Sequence, residues 1–174
     1  MSRKLSNKQM NMKGFEQLKI DYHHFMVKYF VHEKRPLDAA KSCQVILNTY
    51  IENDQLDSTQ GKALKRTAFE NFGFFLLVSV FGEERQELLK NVTEKYAREL
   101  DQNDLVKYYV TRFLGAELIP LDEAKIAVDC SKYEPFASME NASLHLQDLI
   151  KQIIQHNIRI LERYYSLIQL PRLS

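Results

Sequence analysis

The sequence predicts an all-α fold of antiparallel helix pairs. Three observations lead there. Apolar residues recur at steps of three and four from Phe15 to Ile168, the spacing of amphipathic helices. Five glycines and four prolines in 174 residues leave few places for tight turns. No stretch sustains the period-two alternation of a half-buried strand, so no strand is assigned.

Each element follows from local signals. Residues 1–12 are polar and read as a disordered tail. From about Gly14 to Lys34, Phe15, Leu18, Tyr22, Phe25, Met26, Tyr29 and Phe30 mark one face of a first helix. Pro36 stops it and suits the first turn of a second, which runs to about Glu52 with Leu37, Ala40, Cys43, Ile46, Leu47 and Tyr50 as its stripe. The short link makes these two helices antiparallel neighbours. Residues 53–60 form a polar loop. A third helix runs from Leu64 to Phe81 and ends at Gly82; its apolar run Phe72–Phe81 is too short to span a bilayer and reads as a buried core helix. A fourth covers Glu83 to about Leu100, with acids in the first turn where the helix dipole favours them. Asp101 or Asn103 caps a fifth, Leu105 to about Leu118, before Pro120. A short sixth spans Leu121–Asp129, a Pro-containing loop follows to Ser138, and a seventh begins at Asn141 or Ser143 and continues to about Leu170.

Helix pairs of roughly 30 to 45 residues suggest a TPR-like α-solenoid, each pair touching mainly its neighbours. The seventh helix carries more apolar surface than one packing face requires. Leu146, Ile150, Ile153, Ile160, Tyr164 and Ile168 form one stripe; Ile154, Ile158, Leu161 and Tyr165 form a second. Either the helix is buried on two sides of its own domain, or part of it docks against another element or protein.

Composition narrows the function classes. Hydrophobic and charged fractions of 45% and 27% are those of an ordinary globular domain. A formal net charge of +1 argues against a strongly basic nucleic-acid surface. Cys43 and Cys130 give no disulfide framework and read as buried thiols in a reducing compartment. The N-terminal stretch lacks the apolar core of a signal peptide, so the sequons at Asn91 and Asn141 are chance matches.

Chemistry-bearing constellations are weak. His24 and His32 are eight residues apart and His145 and His156 eleven, neither the i,i+4 spacing of a helical two-His zinc site. Nothing around Cys43 or Cys130 resembles a protease signature, and Glu83-Glu84 and Asp122-Glu123 look like helix N-terminal charges. A Gly-rich phosphate loop and a dinucleotide fingerprint are both missing from the sequence. Tyr108-Tyr109 and Tyr164-Tyr165 could stack on bases, but at helical spacing they read first as core and interface residues. The expectation is no catalytic residue, no cofactor, no metal and no small-molecule substrate.

The stretch His156–Ile168, with Asn157-Ile158-Arg159-Ile160 followed by Tyr164-Tyr165, resembles the long helix leading into the winged helix of PCI-domain proteins. Within that superfamily it looks most like the non-ATPase regulatory subunit 12 family of the 26S proteasome lid. Phe25-Met26-Val27, His32-Glu33 and Gln44–Thr49 look like the opening helical pair of the PCI region in that family; Phe75-Leu76-Leu77-Val78 with Leu88-Leu89, and then Leu105–Leu118, fit the helices that follow. The resemblance implies that residues 13–168 are the helical-repeat part of a PCI domain, and that residues 169–174 begin a winged helix otherwise absent.

It also implies a non-catalytic scaffold of the proteasome regulatory particle lid, in cytoplasm and nucleus, serving ubiquitin-dependent degradation by holding other lid and base subunits. A PCI subunit of the COP9 signalosome and a nucleic-acid-binding PCI protein are the alternatives. No membrane partner is expected. The implied interface residues are Ile154, Ile158, Leu161, Tyr164, Tyr165 and Ile168, and self-association through that end is a further expectation.

Overall fold

The computed structural model describes residues 2–52, 59–132 and 142–164, with side chains for 14–52, 61–132 and 143–164. Among these residues the chain is all-α, as the sequence predicts: α1 (Ser2–His32), α2 (Pro36–Glu52), α3 (Thr59–Val78), α4 (Glu83–Lys95), α5 (Ala97–Asp101), α6 (Asp104–Leu114), α7 (Glu123–Ser131) and α8 (Ala142–Tyr164). None of these helices is long and apolar enough to cross a membrane. The chain divides into two compact units, Met1–Leu76 and Leu77–Ser174.

In the first unit α1 packs along α2. The turn between them is built from backbone bonds. Arg35 N–H donates to Phe30 O at 2.8 Å and Lys34 N–H to Val31 O at 3.1 Å, the paired bonds of a Schellman C-cap. Lys34 takes the left-handed position of that cap, with φ 55°, where glycine is usual. Pro36 then opens α2, at a position where its missing N–H costs nothing. The chain reverses within three residues, so the helices are antiparallel, and Asp21 of α1 lies close enough to raise the Tyr50 pKa further, beyond the larger effect of burial. Ile20 meets a face of α2 that buries Ala39, Ala40, Cys43, Ile46 and Leu47.

Two features of α1 differ from the sequence reading. The helix begins at Ser2, taking in residues 2–12 that read as a disordered tail. Those residues hold no Gly or Pro and several good helix formers, so the polar composition hid a helical backbone. The second difference is the packing face. Phe15, Leu18, Tyr22, Phe25 and Tyr29 are exposed, whereas Ile20 is buried and His23, Met26, Val27 and Phe30 are half-buried. The single stripe read from spacing merges two faces roughly a third of a turn apart, and α2 takes only one.

In α3 the Phe-rich run behaves as a core helix. Phe72, Phe74, Phe75, Leu76, Leu77 and Val78 are all buried, so the helix end is apolar all round. The helix stops at Val78, three residues before the expected Phe81; Val80 and Phe81 are exposed.

The second unit packs α4, α5 and α6 together and α7 against α8. The expected fourth helix is broken at Tyr96, whose φ −116° and ψ 29° are not helical. No Gly or Pro marks the break. The Thr93 hydroxyl donates to Lys90 O at 2.8 Å, a back-bond of the kind that loosens the helix ladder. Asn103 is the residue that caps α6, accepting from Val106 N–H at 3.4 Å. Asp122 caps α7 in the same way, accepting from Lys125 N–H at 3.0 Å.

Candidate interaction surface

Helix α8 presents two different faces. Its inward face buries Leu149, Gln152, Ile153, His156 and Ile160. Ile153 and Ile160 were expected on this stripe; Tyr164 was too, but it is 68% exposed. Leu146 and Ile150 are half-buried. The reason is local: Ile160 is the last fully buried apolar residue of the described helix, and the three residues after Leu161 all face solvent.

Polar side chains fix this inward face. The Asn157 amide accepts from Ile119 N–H at 2.8 Å and donates to Ile119 O at 2.8 Å. It thereby supplies a ladder-like pair of bonds to an irregular segment, where backbone groups have no helix to satisfy them. His156 Nε2 lies 3.0 Å from Glu117 O. A carbonyl only accepts, so the ring carries its proton on Nε2. That ring is also packed edge-to-face with Phe113, with centroids 5.6 Å apart. Burial holds the His156 pKa below its ordinary value; the bond to Glu117 opposes this, and the charges of Arg159, Arg85 and Arg163 add to the lowering. His156 is therefore a structural group, anchoring the 115–119 segment to α8.

Phe113 also receives the Arg85 guanidinium, 4.5 Å from its ring centroid. Arg85 sits in the first turn of α4, fully buried, and its Nη2 donates to Leu77 O at 3.4 Å. That bond satisfies a carbonyl of the last turn of α3, where intrahelical donors run out. Desolvation, with Arg159 nearby, lowers the Arg85 pKa to about 10, and the side chain remains a cation at neutral pH. Arg159 stacks over Phe81 at 3.7 Å, which keeps that exposed ring at the surface of α8.

The outward face carries the residues expected at an interface. Ile158 is 59% exposed, Ile154 is at the margin of exposure and Leu161 is half-buried. With Tyr164 they form an apolar strip along the solvent side of α8. Tyr165 and Ile168, the other two, lie outside the described residues, as do residues 169–174. Sequence spacing located this strip. It missed Asn157 and His156 as the groups that hold the 117–119 segment on α8, because hydrogen bonds to an irregular backbone have no sequence period.

The remaining chemistry-bearing residues are dispersed. Among the described residues no three of His, Cys, Asp and Glu come together as a metal-binding group. Burial pushes the Cys43 and Cys130 thiols up to about 12, with Asp129 contributing at Cys130, so neither is a thiolate at neutral pH. Of the Tyr108-Tyr109 pair, Tyr109 is buried and stacked on Phe113 at 6.3 Å, and Tyr108 is exposed with the Arg112 guanidinium over its ring at 4.9 Å.

No protein-family model matches the chain. Curated relatives do match it. The 26S proteasome regulatory subunit RPN5 of Saccharomyces cerevisiae is 27% identical over 100% of this chain and 38% of its own length. The regulatory subunit rpn501 of Schizosaccharomyces pombe is 27% identical over 96% of this chain and 38% of its own. The 26S proteasome non-ATPase regulatory subunit 12 of Dictyostelium discoideum is 27% identical over 91% of this chain and 34% of its own. The chain thus spans less than two fifths of the length of these relatives. All three are named as regulatory subunits. The resemblance carried by Asn157-Ile158-Arg159-Ile160 and the helices before it is borne out: this chain is similar along its whole length to regulatory subunits of the 26S proteasome.

Proposed function

We propose that the chain is a non-catalytic scaffold of the proteasome regulatory particle lid, serving ubiquitin-dependent protein degradation through contacts with other lid and base subunits. The observation that carries this reading is the end-to-end similarity to subunits named as regulatory. Residues 13–168 are then the helical-repeat part of a PCI domain, and the protein works in cytoplasm and nucleus. The buried, protonated thiols of Cys43 and Cys130 and the structural bonding of His156 support a role in binding rather than bond-making. The strip Ile154, Ile158, Leu161 and Tyr164, with Tyr165 and Ile168, is the surface through which α8 meets a neighbouring subunit.

The test is affinity capture of the tagged protein from its own cells, followed by mass spectrometry. Lid and base subunits of the proteasome should be recovered together, and Ile158→Asp should reduce that recovery without changing the melting temperature. Recovery of a deneddylating complex, or of nucleic acid in a salt-sensitive manner, refutes the assignment.

A further inference from the structure

We propose that the exposed stripe of α1 seats a second copy of this chain, whose own α1 runs antiparallel to it. The stripe is Phe15, Leu18, Tyr22, Phe25 and Tyr29, spaced by three, four, three and four residues. That is the a/d spacing of a coiled-coil seam rather than the broader face of a helix in a globular core. Every member is more than half exposed, and Phe25 reaches 71%. The α2 helix packs along α1, where Ile20 is buried, and the stripe is a second apolar surface left more than half open to solvent. Four aromatic rings at solvent on one helix are far more than scattered surface residues account for.

Charge selects the occupant and its direction. Asp21 and Lys28 precede Tyr22 and Tyr29, at the flanking g positions, and both are exposed. In an antiparallel pair with Tyr22 opposite Phe25 of the second copy, Leu18 falls opposite Tyr29 and Asp21 falls opposite Lys28. Two-fold symmetry repeats each contact, giving two opposite-charge pairs across one isologous seam. A parallel pair would set Asp21 against Met26. It would set Lys28 against Glu33, which lies beyond the end of α1 and already holds His32 at 3.3 Å. It would also stack Tyr22 on Tyr22 and Tyr29 on Tyr29. The antiparallel arrangement therefore uses both flanking charges and mixes ring sizes along the seam.

The test is sedimentation equilibrium of the whole chain over a wide concentration series, with circular dichroism as the control for folding. A monomer–dimer equilibrium is expected, and Phe25→Glu should abolish it while leaving the helical melt in place, since Phe25 is not part of the core. Asp21→Lys alone and Lys28→Asp alone should each weaken the dimer about tenfold by turning attraction into repulsion. The double variant D21K/K28D should restore it. Ile158→Asp on α8 should leave it unchanged, so failure here is separable from failure of the scaffold assignment. A chain that stays monomeric throughout overturns the proposal. So does a dimer that survives Phe25→Glu, one abolished by Ile158→Asp, or one that the double charge swap fails to restore, as a parallel pairing through Glu33 would require.

Discussion

Asn157 grips Ile119 by both of its backbone groups, accepting from the N–H and donating to the carbonyl, each at 2.8 Å. Thirty-eight residues separate the two in sequence, and the contact fixes where the segment after α6 lies on α8. Ile158, one residue on, faces solvent.

The first prediction concerns this clamp. Asn157→Ala leaves two partly buried backbone groups without their partner, at a net cost of about 2 kcal/mol. Asn157→Asp should cost at least as much, because a carboxylate can still accept from Ile119 N–H but meets Ile119 O without a proton to offer. Chemical denaturation gives both values; a loss well under 1 kcal/mol for either variant would mean the clamp is dispensable.

Lys34 offers the opposite sign. It holds a left-handed conformation, φ 55°, inside the Schellman turn. Side chains are strained there by about 1 kcal/mol and glycine is not. Lys34→Gly should therefore raise the melting temperature by a few degrees. The exposed Lys34 side chain is not among the ion pairs that hold the neighbouring Arg35 and Asp38, which meet at 2.7 Å. A lowered melting temperature would show that the turn is relaxed with lysine.

The His156 ring gives a pH dependence. Its folded pKa is depressed below the ordinary 6.5, first by desolvation. The unfolded chain therefore takes up a proton at a pH where the folded one still refuses it. Stability is fully present above 6.5 and falls as pH drops below that value, through the folded pKa. His23 and His145 are lowered mainly by burial too and act in the same direction. Melting curves from neutral pH down to the range where carboxylates titrate should show this slope, and His156→Gln should make it shallower. A slope unchanged by that substitution would remove His156 as its source.

Reactivity of the cysteines is a fourth expectation. With pKa pushed up to about 12 and both side chains buried, Cys43 and Cys130 should resist a thiol reagent at neutral pH in the native protein. Both should react at once in denaturant. Stoichiometric labelling of the folded chain before unfolding would contradict the packing described for α2 and α7.

Much of the helical framework was legible in the sequence because its signals are local. Apolar steps of three and four, Pro36 at the start of α2, Asn103 before α6 and acids in the first turn of α4 each act within one or two turns, and they gave the helices and most of their order. The outward strip of α8 was legible for the same reason. Two kinds of information were not. A stripe on a helix records that a face is apolar, not which neighbour covers it, so α1 read as having one packing face when α2 covers Ile20 and leaves Phe25 in water. Bonds between residues distant in sequence leave no period at all: only the fold brings Asn157 to Ile119, His156 to Glu117 and Arg85 to Phe113. Local propensity and patterning determined that this chain is helical and where its helices run. Which apolar faces are buried and which remain for a partner was decided by tertiary packing, because burial depends on what lies opposite a residue.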